Sequence, residues 1–354
     1  MKKTQMALAA VALVASTAAM AQVTVYGNAD GSIITGGGTT AFDGGGGYTT
    51  SLLGVRGSED LGGGLKASFN LESAVNLGNG GQGGGAGGNT GLFNRAANVS
   101  LGNDMVGVTA GNQISIVVAD SFTGATAGAG DNVNVPAVVR LLGNTPGTVI
   151  HSGAAEADGT GAVGTNTASG FFIPDAVTLR ASAGGLTFKA QTRVRPDSST
   201  NTGYTAFTLG GGFEGVNFVV GQQQSSGWGD LGLGATTTNY KTQFIAANAK
   251  FGDFGVNGAW ANNTGLVEAK TYMLGASYAL TEAASIGAIY AKGPTALGNQ
   301  TSFNLKYSLS KSTVAYVTAG MFSVDGAGAT YANTGNGGIT SGKNVTAVGI
   351  SHSF

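Results

Sequence analysis

The sequence contains no cysteine, which removes both a disulfide scaffold and a thiolate metal site from consideration. It has only 5 prolines, and charged residues make up only 10% of it. No stretch beyond residue 22 approaches the roughly 20 consecutive apolar residues of a membrane-spanning helix. Basic charge is also short: the formal net charge is −1, which gives no general attraction to nucleic acid. Histidine occurs only as His151 and His352, so a serine–histidine–acid site has two bases to draw on.

What the chain has in abundance is glycine, 64 residues of it, which weakens helices throughout. A disordered low-complexity chain could share that composition. The apolar residues, however, are plentiful and regularly placed, and a disordered chain is poor in them.

The first residues read as an export signal. Lys2 and Lys3 give a positive start, Met6 to Val14 a short apolar run, and Ala19-Met20-Ala21 a small-x-small cleavage site. A mature chain is expected to begin at Gln22, with residues 1–21 as signal peptide and 22–354 as one domain. Without Lys2 and Lys3 that domain carries 15 basic and 18 acidic side chains.

From there the dominant signal is a period-two alternation in segments of roughly ten residues, the length of a membrane-spanning strand. In 302–310, Phe303, Leu305, Tyr307 and Leu309 share one face, while Asn304, Lys306 and Ser308 share the other. Leu65, Ala67, Phe69 and Leu71 oppose Lys66, Ser68, Asn70 and Glu72 in the same way, and Leu186, Phe188 and Ala190 oppose Lys189, Gln191 and Arg193. A soluble sandwich would alternate too. The connections decide between them.

Tight turns, such as 58–63, 184–185, 214–215 and 252–253, take turns with longer Gly/Ser/Thr/Asn-rich stretches, such as 36–48, 77–90, 225–238 and 323–342. Short turns at one rim and long loops at the other are the signature of a transmembrane barrel. The fold expected is all-β: an antiparallel β-barrel of about sixteen strands, with short periplasmic turns and long outer loops. One connection, 118–170, is much longer than the rest, and a loop of that length is usually functional or disordered. It is expected to fold into the lumen as a constriction, bringing Asp120, Asp131, Arg140, Glu156 and Asp158.

Charges on the polar faces would then line a pore. Asp30, Arg56, Lys66, Glu72, Arg180, Lys189, Arg193, Arg195 and Lys306 are the expected wall residues, and their field would act on passing ions. Arg95 shares its parity with Phe93, Ala97 and Val99, so it is expected near the membrane interface or at a subunit contact. Other motif matches carry little. Gly337 to Asn344 fits a phosphate loop except that Asn344 stands where Ser or Thr must hold magnesium. His352 falls on an apolar face, and His151 sits alone in the long loop. No catalytic, cofactor or metal site is expected, and the chain is read as a non-enzyme.

These residues resemble the Gram-negative general porins, trimeric sixteen-stranded barrels, and within them the β-proteobacterial branch. The resemblance runs from Val23-Thr24-Val25-Tyr26-Gly27 to the end of the chain. Gly57-Ser58-Glu59-Asp60-Leu61-Gly62-Gly63 is its most specific part, and Leu92-Phe93-Asn94-Arg95 and Tyr307-Ser308-Leu309 also follow the family. It implies an outer-membrane channel for passive diffusion of ions and small hydrophilic solutes, surrounded by lipid and assembled as a homotrimer. It also implies that Phe354 is the signal for the outer-membrane assembly machinery. The sequence departs from the family at Asn112, where an arginine is common, at Ser351, and along the long third loop. A substrate-selective channel and a plugged, Gly-rich surface barrel are the alternatives, and single-channel conductance separates all three.

Overall fold

The computed structural model describes residues 22–45, 47–82, 91–126, 172–194, 203–228, 238–265, 269–293, 298–323 and 344–354. The expected signal segment, 1–21, lies outside them. The strands are β1 (Gln22–Gly36), β2 (Thr39–Asp43), β3 (Leu52–Gly62), β4 (Leu65–Ala74), β5 (Ala96–Gly102) and β6 (Val106–Ile114). After helix α1 (Ile116–Thr126) come β7 (Phe172–Ala183), β8 (Leu186–Arg193), β9 (Gly203–Phe213), β10 (Val216–Trp228), β11 (Thr238–Phe251) and β12 (Phe254–Thr264). The set ends with β13 (Ala269–Ala279), β14 (Ala284–Lys292), β15 (Asn299–Ser308), β16 (Thr313–Phe322) and β17 (Asn344–Ser353).

Every strand pairs antiparallel with its neighbours in one continuous sheet. The sheet closes where β17 meets β1, from Asn28 opposite Ser353 to Gly36 opposite Val345. Two strands share one place in the ring. β2 pairs with the end of β1, at 32–36, and β3 with its start, at 22–28. The seventeen strands therefore fill sixteen positions. Closure is a physical demand in lipid, because an edge strand would leave its N–H and C=O groups without partners.

The alternation sorts side chains as the sequence suggests, with the polarity of a soluble protein reversed. On β15, Phe303, Leu305 and Tyr307 are exposed on the outside while Gln300, Ser302 and Asn304 are buried. Val348, Ile350 and Phe354 are likewise exposed outward, and Ala347 and Ser351 are buried inward. At one rim the connections are tight: Gly184 and Gly185, both at positive φ, form one of them, as a two-residue hairpin turn requires.

The seam carries a specific fit. Phe354 accepts from Gly27 N at 3.0 Å and donates to Gly27 O at 3.1 Å. Its ring occupies the place where a side chain on residue 27 would stand. A glycine on one strand with an aromatic ring laid across it recurs at Gly54 with Tyr26 and at Gly57 with Phe69. Several glycines thus serve as seats for aromatic rings.

Filling one of these seats should open the seam. Gly27→Val is expected to cost about 1–3 kcal/mol through overpacking and to lower the urea midpoint of the folded barrel in detergent. Deletion of Phe354 should lower the heat-modifiable fraction recovered from membranes. Unchanged midpoints and recovery would show that the ring contributes nothing to closure.

Candidate functional site

The interior is shaped by one helix. β6 ends in a bulge: Gly111 has φ 122°, and the register with β7 shifts between Gly111 and Gln113. A side chain at 111 would strike the Ala97 carbonyl oxygen, so only glycine fits. The bulge swings the chain off the wall into α1, which crosses the interior against β8 to β13. No helical periodicity marks this stretch in the sequence. Ile116, Val117 and Val118 are all buried in succession, which is the pattern of an element enclosed by a barrel rather than lying on a surface.

Side-chain and backbone hydrogen bonds hold α1 to the wall. Ser115 caps it, its Oγ accepting from Val118 N at 3.4 Å, and its hydroxyl lies 2.8 Å from that of Tyr204. Ile116 N donates to Gln191 Oε1 at 3.1 Å. Asp120 accepts from Lys189 Nζ at 2.6 Å and from Thr208 Oγ1 at 2.6 Å. The expected constriction residue Asp120 is therefore inside, facing a wall lysine across an ion pair. Asp131, Arg140, Glu156 and Asp158, together with His151, lie outside the described residues, as does Arg195.

The remaining wall residues divide by role. Arg56 and Lys66 are on the inner face and exposed. The Arg56 guanidinium sits 4.7 Å from the centre of the Tyr26 ring, and the Tyr26 hydroxyl donates to Glu72 Oε1 at 2.5 Å. Asn70 donates to the same oxygen at 3.2 Å. Arg180 is inward but serves the rim: Nη1 donates to the Asp104 carbonyl at 3.0 Å, and Nη2 donates to that of Asn103. Arg193 is inward and half-buried. Lys306 holds its ammonium 5.5 Å from the centre of the Tyr48 ring.

Two expectations are corrected. Asp30 is on the inner face, yet it is 0% exposed and acts as an anchor rather than as exposed pore wall. Its Oδ1 accepts from the Tyr316 hydroxyl at 2.6 Å, and its Oδ2 from Tyr48 N and Thr49 N at 3.1 and 2.9 Å. Arg95 does not face lipid or a neighbouring subunit. It precedes β5 by one residue, so the alternation does not govern it. Its side chain turns inward, with Nε 3.4 Å from Glu72 Oε2 and the guanidinium 5.5 Å from the centre of the Phe172 ring. Pairing with Glu72 offsets the cost of burying that charge.

Together these side chains line a passage beside α1. A cavity of about 530 Å³ is bounded by Thr24, Tyr26, Arg56, Ser68, Asn70 and Glu72. A second, of about 290 Å³, shares Asn70 and Glu72 and continues to Arg95, Asn98, Gln113, Ala119, Phe172 and Lys189. Sequence reasoning missed Tyr26, which bridges Arg56 to Glu72, because a tyrosine on a polar face looks like a break in the pattern. It also missed Lys250, exposed at the short-turn end of the inward row Thr242, Phe244, Ala246 and Asn248. The row itself was the available signal. Among the described residues no three metal-ligating side chains come together, and no helix is long and apolar enough to cross a membrane. His352 faces outward, with Nδ1 2.9 Å from Thr313 Oγ1.

The sequence profile of a family described as Gram-negative porin matches residues 7–327. An 82-residue stretch is 49% identical to outer membrane porin protein 32 of Delftia acidovorans, over 21% of this chain and 23% of that protein. The aligned stretch thus spans less than a quarter of that relative. The fold superposes on an anion-selective porin from Comamonas acidovorans with a TM-score of 0.70 at 20% identity, over 94% of this chain and 100% of that one. The trimer form of OmpT, an outer membrane protein of Vibrio cholerae, gives 0.62 at 12% identity over 94% and 99%. At these identities the superpositions establish the fold alone.

The Asp120–Lys189 contact makes a prediction of its own. Asp120→Ala removes two anchors of α1 and leaves the wall residue Lys189 facing a neutral helix. With both groups partly solvated, the loss should be about 1–2 kcal/mol of helix attachment. Limited proteolysis of the folded barrel should cut near 116–126 faster than in the unaltered chain, and equal cutting rates would contradict this anchoring.

Proposed function

Because the chain belongs to the Gram-negative porin family, we propose that it forms a water-filled channel of the outer membrane for ions and small hydrophilic solutes. They move down their gradients, with no covalent step and no bound cofactor. The short-turn rim then faces the periplasm and the long-loop rim the exterior, and residues 1–21 are a signal removed on export. The observation that carries this reading is the cleft beside α1, two adjoining cavities along β1 to β8 that share Asn70 and Glu72 and carry charged side chains, inside a barrel whose outer surface is apolar.

Its charge favours anions. Arg56, Lys66, Arg180, Lys189, Arg193, Lys250 and Lys306 stand on inward rows, and Arg95 turns in beside them. Among the described residues the inward acids are fewer and engaged. Asp30 and Asp43 are buried, Glu72 and Asp120 each face a cation, and Asp60 is opposite Lys66 at the rim. Basic charge in a narrow, water-filled passage raises the local anion concentration, and salt screens the effect. The similar Comamonas protein bears the description anion-selective, which agrees with this charge pattern.

The outer surface supports a trimer. Among side chains the structure describes, outward-facing Tyr and Trp are confined to β12–β15: Trp260, Tyr272, Tyr278, Tyr290 and Tyr307. Such residues anchor a barrel at the lipid headgroups. The other side, β1 to β6, presents Val23, Val25, Leu53, Val99, Leu101, Val106 and Val108 instead. That side, mostly aliphatic apart from Phe42 and Phe69 and carrying no outward Tyr or Trp among the described side chains, suits contact with a second and third copy.

Two measurements check this reading. Reversal potentials in a potassium chloride gradient should show a modest anion preference at low ionic strength. The preference should shrink about two- to fivefold, or reverse, in the double variant Arg56→Glu, Lys66→Glu; a cation preference in the unaltered channel would refute the assignment. For assembly, Val99→Lys on β5 should reduce the trimer to monomer in mild detergent. Leu274→Lys, equally exposed on β13, should leave it intact, and sedimentation that fails to distinguish the two would rule out this contact face.

A further inference from the structure

β2 ends opposite Ser32 and β3 begins opposite Asn28. Only Ala29, Asp30 and Gly31 lie between, yet the chain spends residues 44–51 on that gap. The surplus cannot stay in the wall, and it leaves inward. Gly47 is pressed so closely to Ser32 and the Tyr316 hydroxyl that a side chain there would strike both. Tyr48 stacks on Tyr316 with ring centres 5.3 Å apart, and the Lys306 ammonium lies over its ring. Both partners belong to inward rows.

The segment is pinned along its length. Asp30 takes two backbone N–H groups from it and the Tyr316 hydroxyl besides. Ser51 and Asp30 exchange two hydrogen bonds, at 2.9 and 3.0 Å. At its edges Leu77 N donates to Gly44 O and Val75 N to Ser51 O. A surface loop would not need a buried carboxylate with three donors. This is a strap fixed to the inner wall.

Its place in the ring matters. α1 lies against β8 to β13, whereas the strap touches β1, β15, β16 and β17, centred about six strand positions away in a ring of sixteen. The geometry points to the described residues of 44–51 (Gly46 lies outside them) as a second constriction element, which narrows the lumen from a stretch of wall that α1 does not touch. Asp30 is its positioning residue, and Tyr48 with Lys306 is the face it presents to solutes. The cleft from Arg56 to Lys189 runs along the wall between the two inward elements. Solute size is therefore set from two sides, and the wall away from the helix adds an aromatic ring and a cation to the selectivity surface.

This inference rests on the channel reading, and the experiment separates the two. The chain lacks cysteine, so Tyr48→Cys introduces a unique thiol at a half-exposed position. Single channels of the folded, heat-modifiable barrel are recorded while a charged methanethiosulfonate is added. Modification should lower conductance stepwise by about a third or more. Replacing 44–51 by three residues, to match Ala29–Gly31, should raise conductance by about half or more and admit larger sugars in liposome swelling. Asp30→Asn should make the open level noisier. Complete modification of residue 48 with unchanged conductance, or a thiol that never reacts, would overturn the strap as a constriction and leave the channel standing. A barrel that never conducts would overturn both.

Discussion

Everything in this molecule follows from the rule that a peptide group placed in hydrocarbon must find its hydrogen-bond partner within the protein. An unsatisfied group there costs several kcal/mol, and a sheet obeys the rule only by having no edge. The ladder from Asn28–Ser353 to Gly36–Val345 supplies the last pairing, and the Phe354–Gly27 pair finishes it at the rim. Once the ring is closed, alternation assigns every side chain to lipid or to the interior. The outward rows must be apolar. The inward rows are released from forming a core and can carry Arg56, Lys66 and Glu72.

Glycine makes that closure geometrically practicable. A wide barrel bends its strands and crowds side chains across neighbouring strands. Here the crowding is resolved by pairing an aromatic ring with a bare Cα, as at Gly27 with Phe354, Gly57 with Phe69, and Gly349 with Tyr316. The rings cover backbone that would otherwise be open to lipid or water. A composition that looks like disorder in one dimension is thus a packing code in three.

The fold was legible in the sequence because its signal is local. Period two, tight glycine turns and long polar loops are visible within ten residues of one another, and closure follows from the lipid environment. The site was less legible because its contacts are remote. Asp120 and Lys189 are 69 positions apart, and nothing near either names the other. Asp30 was assigned the correct face but the wrong role: only the register of β1 against β2 and β3 shows that Tyr48, Thr49 and Ser51 are crowded over it. Arg95 was misassigned because parity was extended one residue beyond β5, where the chain is free to turn. α1 escaped notice because burial on successive residues erases the stripe by which surface helices are recognised.

The strap also bears on how such a channel can change over time. It is an insertion between two stretches of intact ladder, so its length is not tied to any pairing in the wall. Loop-closure entropy rises only about 0.6 kcal/mol for each doubling of length. Residues can therefore be gained or lost between Asp43 and Leu52 while every membrane-facing position and the strand-to-strand ladder stay as they are, provided Ser51 still pairs with the Asp30 backbone. The aperture is in this sense heritable separately from the barrel: lineages facing different nutrients could retune permeability by insertion and deletion at this one site, without reopening the problem of how the protein enters its membrane.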